Sequence, residues 1–278
     1  MPIQADFEGA PRKVRKMPPV GIRIAECHRD FVVAVKPAGV HSAPLKAEDG
    51  ECALAAVVEL FPEVLGVVGK KAVEGGLVHR IDFDTAGLLL FARSQSFYSH
   101  IMDCQAAGLF QKTYHARCQW LPRCPALLGG FPPLPDFRPD LPFASRLDCA
   151  VESGFRPYGP GRRQVRPVSS SPGKFTQRRD GNCALYATHL QIDPSPEVVR
   201  VQAAITRGYR HQVRCHLAWC GLPVLGDPLY NPLCREGQGP FPPQMQFFAT
   251  GLRFPLADSS GDFFVSINPE DCSSALSA

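Results

Sequence analysis

The sequence predicts a globular chain of mixed strand and helix, and three observations carry that reading. Short apolar runs recur between turn residues, at the length of buried or half-buried strands. Between them lie stretches with apolar residues at helical spacing and with cap and stop residues at their ends. The composition supplies a core: of 278 residues, 45% are hydrophobic and 20% charged. No apolar run approaches the length needed to cross a bilayer.

The elements follow in order. Residues 31–35 (FVVAV) read as a strand, stopped by the turn Lys36-Pro37-Ala38-Gly39. Residues 51–61 (ECALAAVVELF) read as a helix with Leu54, Val57, Val58 and Phe61 on one face. A loop at 69–76 leads into the stretch around which the chain is organised, GLVHRIDFDTAGLLLFARS at 76–94. Its apolar run at 88–92 suits a buried strand, although periodicity alone leaves a helix open. Ser94 then caps a helix that runs to about Ala107 and stops at Gly108. Residues 113–120 alternate and read as a strand.

Residues 121–171 are dense in proline and glycine. Proline removes a backbone donor and fixes φ, so neither a regular helix nor a central strand is expected there. Strands return at 185–192 and 198–205, joined by Asp193-Pro194-Ser195-Pro196. Residues 209–220 read as a helix, with Gly221 as its left-handed stop and Pro223 just beyond. On it Val213, Leu217 and Cys220 form an apolar stripe, and Arg210 and Arg214 lie one turn apart on an adjoining face. Such a pair near a helix N-terminus suits an anion; its bland alternative is a solvated face. Residues 247–254 and 263–267 form a closing hairpin.

The formal charge of +4 is unevenly spread. Residues 9–24 hold Arg12, Lys13, Arg15, Lys16 and Arg23 without an acidic residue. Residues 153–179 hold Arg156, Arg162, Arg163, Arg166, Lys174, Arg178 and Arg179, again without one. Two such blocks favour a polyanionic partner over solvated tails. The N-terminus lacks the apolar core of an export signal. Eleven cysteines, an odd number, then point to reduced thiols in a cytosolic protein. The nearest approach to a metal-ligand spacing is Cys215 and Cys220 beside His211 and His216. A second pair is missing and Arg210 and Arg214 would crowd a cation, so no metal is expected.

In the central stretch, His79, Arg80 and Asp82 sit between two apolar segments, at the rim of a core. A carboxylate there is partly desolvated and calls for a cation; the bland reading is a turn in which Asp82 and Asp84 bond their own backbone. The wording HRxDxxTxG followed by an apolar run resembles the signature of the RluA-type pseudouridine synthases. Three further stretches are similar to that family: FVVAVKPAGVHSAP at 31–44, KTYHA at 112–116, and GYRHQVRCHLAWCGLPVLGDPLYN at 208–231.

The resemblance implies an α+β domain with a central, mostly antiparallel mixed sheet flanked by helices and a catalytic cleft across it. It implies isomerisation of uridine to pseudouridine in structured RNA, rRNA or tRNA, without cofactor or metal. Asp82 would be the catalytic aspartate. Tyr114 would pack against the base, Arg214 would pair with Asp82, and Arg80 would help hold the target nucleotide out of its stack. The chain departs from the family at Ala86, at Tyr209, where an arginine is usual and Arg210 stands next door, and at Phe248, where many relatives have a histidine. The expected organisation is a flexible basic arm at 1–20 and one catalytic domain at 21–278, with a basic Pro/Gly-rich insertion at about 121–180. The protein is expected to be a cytoplasmic monomer. Two rival readings stand beside this one: a non-catalytic RNA-binding protein on the same fold, and a hydrolase with Asp82 as nucleophile and His79 or His211 as base.

Overall fold

The two most apolar runs of the sequence become neighbouring strands toward one end of a single mixed sheet. The computed structural model describes residues 21–44, 51–133, 146–168, 184–195, 197–235, 237, 242–258 and 260–273. Among them ten strands form a single sheet: β1 (Arg23–Cys27), β2 (Phe31–Lys36), β3 (Ala86–Ala92), β4 (Gln111–Cys118), β5 (Leu147–Tyr158), β6 (Gln164–Val168), β7 (Tyr186–Asp193), β8 (Val199–Ile205), β9 (Phe247–Pro255) and β10 (Asp262–Ser266). Their order is β1-β2-β3-β9-β4-β8-β7-β5-β6, with β10 paired to β9. Every pairing is antiparallel except β3 with β9. The α+β class and the mostly antiparallel sheet are therefore as the sequence leads one to expect. The proposed arm at 1–20 lies outside the described residues.

Burial on both faces explains why β2 and β3 read as continuous apolar runs. Val32, Ala34, Leu89 and Phe91 enter one core with helix α1 (Ala53–Leu60). Phe31, Val33, Val35, Leu88 and Leu90 enter the other with Phe97 and Ile101 of helix α2 (Gln95–Ala107). The termini of α2 follow local chemistry. Ser94 Oγ accepts from the Phe97 N–H at 3.3 Å, and Gly108 closes the helix at φ 76°. By contrast β8 is covered on one face only, and its burial alternates along the strand.

β3 crosses to β9 through the pairs Ala86↔Phe248 and Gly87↔Ala249. Gly87 has φ 131°, and a Cβ placed there would lie 2.1 Å from the Ala249 carbonyl oxygen. The glycine of the HRxDxxTxG stretch is thus what lets the two strands meet.

The proline-rich segment departs from expectation, because β5 and β6 lie inside it. β5 pairs with β7 over Leu147–Ser153 and with β6 over Gly154–Tyr158. Its prolines fall where no ladder bond is lost. Pro157 lies past the last residue paired with β7. Pro167 is on the edge strand, two residues from Val165, whose N–H leaves β5 to bond Tyr230 Oη at 2.8 Å. The missing donor of Pro167 therefore faces the open edge.

Candidate active-site cleft

Asp82 is held by a turn that folds back on its own strand. Val78 N–H bonds the Leu90 carbonyl at 3.0 Å, so the chain enters antiparallel to β3, and Thr85 N–H closes the turn on the Asp82 carbonyl at 3.1 Å. The loop after β2 clamps this turn from outside. Lys36 is fully buried, and its Nζ donates to the carbonyls of Pro37 at 2.8 Å, Val40 at 2.7 Å and Phe83 at 3.2 Å. Gly39 N–H reaches the same Phe83 oxygen at 2.9 Å. Ser42 Oγ donates to the Ile81 carbonyl at 2.9 Å and accepts from its N–H at 3.1 Å. Burial lowers the Lys36 pKa to about 7, against the opposing pull of Asp82 and Asp84.

The turn opens on a cleft of about 560 Å³. Asp82, with its side chain 25% exposed, accepts from Arg214 Nη1 at 2.7 Å through Oδ2. The contact expected between these residues, far apart in sequence, is therefore made. Arg214 also forms a two-pronged pair with Asp227, Nε to Oδ2 at 2.8 Å and Nη2 to Oδ1 at 2.7 Å. Asp227 is fully buried and accepts in addition from the N–H groups of Leu229 at 2.8 Å and Tyr230 at 3.0 Å. Burial works against both charges. The Asp227 carboxylate, and then Asp82, outweigh it and hold the Arg214 pKa above its ordinary value. Arg214 and the two backbone donors likewise hold Asp227 below the usual carboxylate range. Sequence reasoning reaches the segment that holds Asp227 but gives the residue no part. Its signal is an aspartate followed by Pro228, a residue pair that favours a turn tied to the side chain.

The helix around Arg214 differs from the expected one. It runs over Gln212–Trp219 (α4 in chain order, after the short α3 at Cys124–Leu128), and all of its residues are buried. Tyr209, Arg210 and His211 precede it in a turn, with His211 left-handed at φ 57°. Arg210 and Arg214 are consequently neither a pair nor a solvated face. Arg210 is exposed and donates to the carbonyls of Arg162 at 2.6 Å and Gln164 at 3.3 Å. Tyr209 stacks on Phe155, with ring centroids 5.1 Å apart. His211 brings Nε2 to 3.7 Å from Asp82 Oδ1, too far for a hydrogen bond, while Nδ1 meets Tyr230 Oη at 3.2 Å. Burial, outweighing the attraction of Asp82, lowers its pKa.

Tyr114 reaches the cleft from β4. Its ring stacks on Phe247 at 5.2 Å and 4° between planes, and burial, with Asp82 adding to it, raises its phenol pKa. Arg80 stands at the mouth, 58% exposed on its side chain, 3.4 Å from Glu74. Asp82, Tyr114, Arg80 and Arg214 thus all line one cleft. Arg166, one of the cations in the second basic block, is instead buried. It donates to the carbonyls of Gly129, Val165 and Leu128, with its guanidinium over the rings of Phe131 and Tyr158. It pins the fold and does not face a partner. Lys174, Arg178 and Arg179 lie outside the described residues.

His216 is buried with its ring nitrogens at 2.9 Å from Ser153 Oγ and 2.8 Å from Thr188 Oγ1. Cys215 and Cys220 are buried free thiols. Among the described residues no three His, Cys, Asp or Glu side chains gather as a metal site would need. No described helix is long and apolar enough to cross a membrane.

A ten-stranded mixed sheet with a cleft beside its central turn is the architecture that the resemblance implies. The family model for RNA pseudouridylate synthase matches residues 30–219, and the chain belongs to that family. An uncharacterized RNA pseudouridine synthase of Chloroflexus aurantiacus is 28% identical over 198 residues, covering 71% of this chain and 51% of the relative. The ribosomal large subunit pseudouridine synthase D of Yersinia pestis is 23% identical over 85% of this chain and 59% of its own. The tRNA pseudouridine synthase C of Vibrio cholerae is 26% identical over 57% of this chain and 59% of its own. The chain therefore spans little more than half the length of these relatives. The human RNA pseudouridylate synthase domain containing 1 shares the fold, with a TM-score of 0.59 at 20% identity over 93% of this chain and 86% of that one.

Proposed function

We propose that the protein isomerises uridine to pseudouridine in structured RNA, either rRNA or tRNA, as a cytoplasmic monomer with a single catalytic domain. The observation that carries this reading is the Asp82 carboxylate, presented to a cleft and tied to the buried Arg214, in a chain of this family. The reaction breaks the bond from ribose C1′ to uracil N1, turns the base, joins C1′ to C5, and moves the C5 proton away as N1 gains one. Asp82 acts on the sugar or ring as nucleophile or base. Arg214 is the counter-charge that fixes its carboxylate. Tyr114, already stacked on Phe247, offers a flat wall to the uracil, where stacking is worth about 1–3 kcal/mol. Arg80, at the mouth, fits a role in holding the extruded nucleotide, whose unstacking costs a few kcal/mol. None of these steps asks for a cofactor or metal.

The test is a map of pseudouridine in RNA incubated with purified protein and with Asp82→Asn. In the variant Arg214 keeps Asp227, so it is expected to fold, to bind RNA and to make no pseudouridine. Near wild-type turnover by the variant would refute the assignment. Retained RNA binding without modification by the wild-type chain on any cellular RNA would favour a non-catalytic binding protein.

A further inference from the structure

Four cations are buried among the described residues: Lys36, Lys112, Arg166 and Arg214. Three are satisfied by the protein itself. Lys36 and Arg166 each meet three carbonyls, and Arg214 meets two carboxylates. Lys112 differs. Its ammonium lies 5.3 Å over the Phe110 ring, and neither a hydrogen-bond acceptor nor a carboxylate at ion-pair distance is found for it among the described residues. The charge that acts on it is Lys70, of the same sign; burial, with Lys70 adding to it, lowers its pKa to about 8. Its other neighbours bring no negative charge. Burial above all, and Lys112 with it, keep His79 neutral, with a pKa of about 3. Gly208 leaves its side open, since a Cβ there would stand 3.3 Å from the Lys112 nitrogen.

The Lys112 side chain is buried, but its nitrogen is not among the fully enclosed polar atoms left without a partner and so opens on the cleft. An ammonium this desolvated and without a counter-charge does nothing for the fold that an apolar side chain would not do better. It is, however, well placed for a ligand that brings the missing charge. Lys112 lines the same cleft as Asp82 and Tyr114. It precedes Tyr114 by two residues on β4, so both side chains leave the same face of the strand, about 7 Å apart along it. One nucleotide reaches over a comparable span from its base to its phosphate.

We propose that Lys112 forms an anion subsite in the cleft, which takes a backbone phosphodiester beside the uridine lying on Tyr114. This rests on the proposed action on RNA and adds a positioning contact to it. The subsite fixes the strand relative to Asp82, and its binding energy helps offset extrusion of the base.

The experiment compares a short oligouridylate with the same strand carrying neutral methylphosphonate linkages around its central uridine. Binding of each to the full chain and to Lys112→Met is measured by fluorescence anisotropy. On the wild type, neutralising the linkage that Lys112 contacts should weaken binding roughly ten- to a hundredfold, as for a hydrogen bond to a charged group. On Lys112→Met the same substitution should change nothing further, and Lys112→Arg should recover part of the loss. Thermal unfolding of Lys112→Met should be unchanged or shifted upward, which a structural lysine would not allow. Equal losses in wild type and variant at every linkage would overturn the proposal. Should Lys112→Met fail to fold, Lys112→Gln carries the comparison, and insensitivity of the wild type to all neutral linkages overturns it alone. Because the readout is binding, a wild type that binds in this pattern but forms no pseudouridine would fail the isomerase reading and keep the subsite.

Discussion

Removing the Arg214 guanidinium separates the two carboxylates that share it. Asp227 is fully buried and takes two hydrogen bonds from Arg214. Asp82 takes one and is 25% exposed on its side chain. Deleting one partner of a buried pair costs about 3–5 kcal/mol, whereas an ion pair open to water is worth about 0–1 kcal/mol. Arg214→Met should therefore lose about 3–5 kcal/mol, nearly all of it through the stranded Asp227. A domain stable by about 5–15 kcal/mol retains enough to measure. Two double-mutant cycles on urea unfolding read the division. With Asp227→Asn the coupling should reach about 2–3 kcal/mol, the upper end for residues that touch. With Asp82→Asn it should stay below about 1 kcal/mol. If Asp82 were the main partner of Arg214, as a pairing of those two residues alone would have it, loss of Asp82 would restore part of the stability in the absence of Arg214. A coupling to Asp82 equal to or larger than that to Asp227 would refute the division argued from burial. Activity should be lost in every variant lacking Asp82 or Arg214.

Other outcomes follow from the same geometry. Replacing the exposed Arg162 and Arg163 by alanine should flatten the salt dependence of RNA binding, by roughly 0.7 in log–log slope for each phosphate no longer neutralised. Arg166→Ala should leave the slope unchanged and lower the melting temperature, because Arg166 is spent on carbonyls and aromatic rings; a changed slope with an unchanged melting temperature would contradict its placement. His216 has a pKa lowered by burial from 6.5 to about 3. Between these values the unfolded chain takes up a proton that the fold refuses, so stability should fall as pH drops from 6.5, by up to about 1.4 kcal/mol per pH unit for His216 and as much again for His79, which burial shifts alike. In His216→Gln the fall should be shallower by the share of one ring, and a pH dependence identical to that of the wild type would show that His216 is not buried neutral. Gly87→Ala should destabilise strongly through both its backbone angle and the Ala249 carbonyl, and near-native unfolding would contradict the β3–β9 join.

What is legible in the sequence is what local chemistry decides. The ends of α2 are set by a serine and a glycine that flank it directly in the chain. β2 and β3 announce themselves because burial on both faces leaves few polar residues to interrupt them. The proline-rich segment misleads because proline forbids a donor, not a strand. Whether a donor is needed depends on what lies alongside, and Pro157 and Pro167 have nothing to bond there. The same limit hides the fate of the arginines. Arg210 and Arg214 fall at helical spacing, but left-handed His211 breaks the helix between them. One then points to the loop at Arg162 and Gln164 and the other into the core.

The residues proposed to meet a substrate are legible through the motifs that carry the family resemblance, and what holds them is not. Asp82, Tyr114 and Arg214 stand in stretches that resemble the family's motifs, and that resemblance singles them out. Lys36 and Asp227 are not singled out, since a lysine before a proline and an aspartate before a proline read as turn residues. Their roles arise from burial. Water would dissolve the bonds of Lys36 to three carbonyls into one hydrated ammonium, and the core makes them a clamp on the Asp82 turn. Asp227 does the same for the other side of the pair: with one guanidinium edge committed to it, Arg214 has Nη1 left to orient toward Asp82. The carboxylate is thereby positioned from two directions, through its backbone by Lys36 and Ser42 and through its oxygen by Arg214. A site built this way loses alignment before it loses any reacting group. Lys36→Met is therefore expected to leave Asp82, Tyr114 and Arg214 in place in sequence yet to lower turnover more than RNA binding, whereas equal loss of both would mean that the clamp serves the fold and not the site.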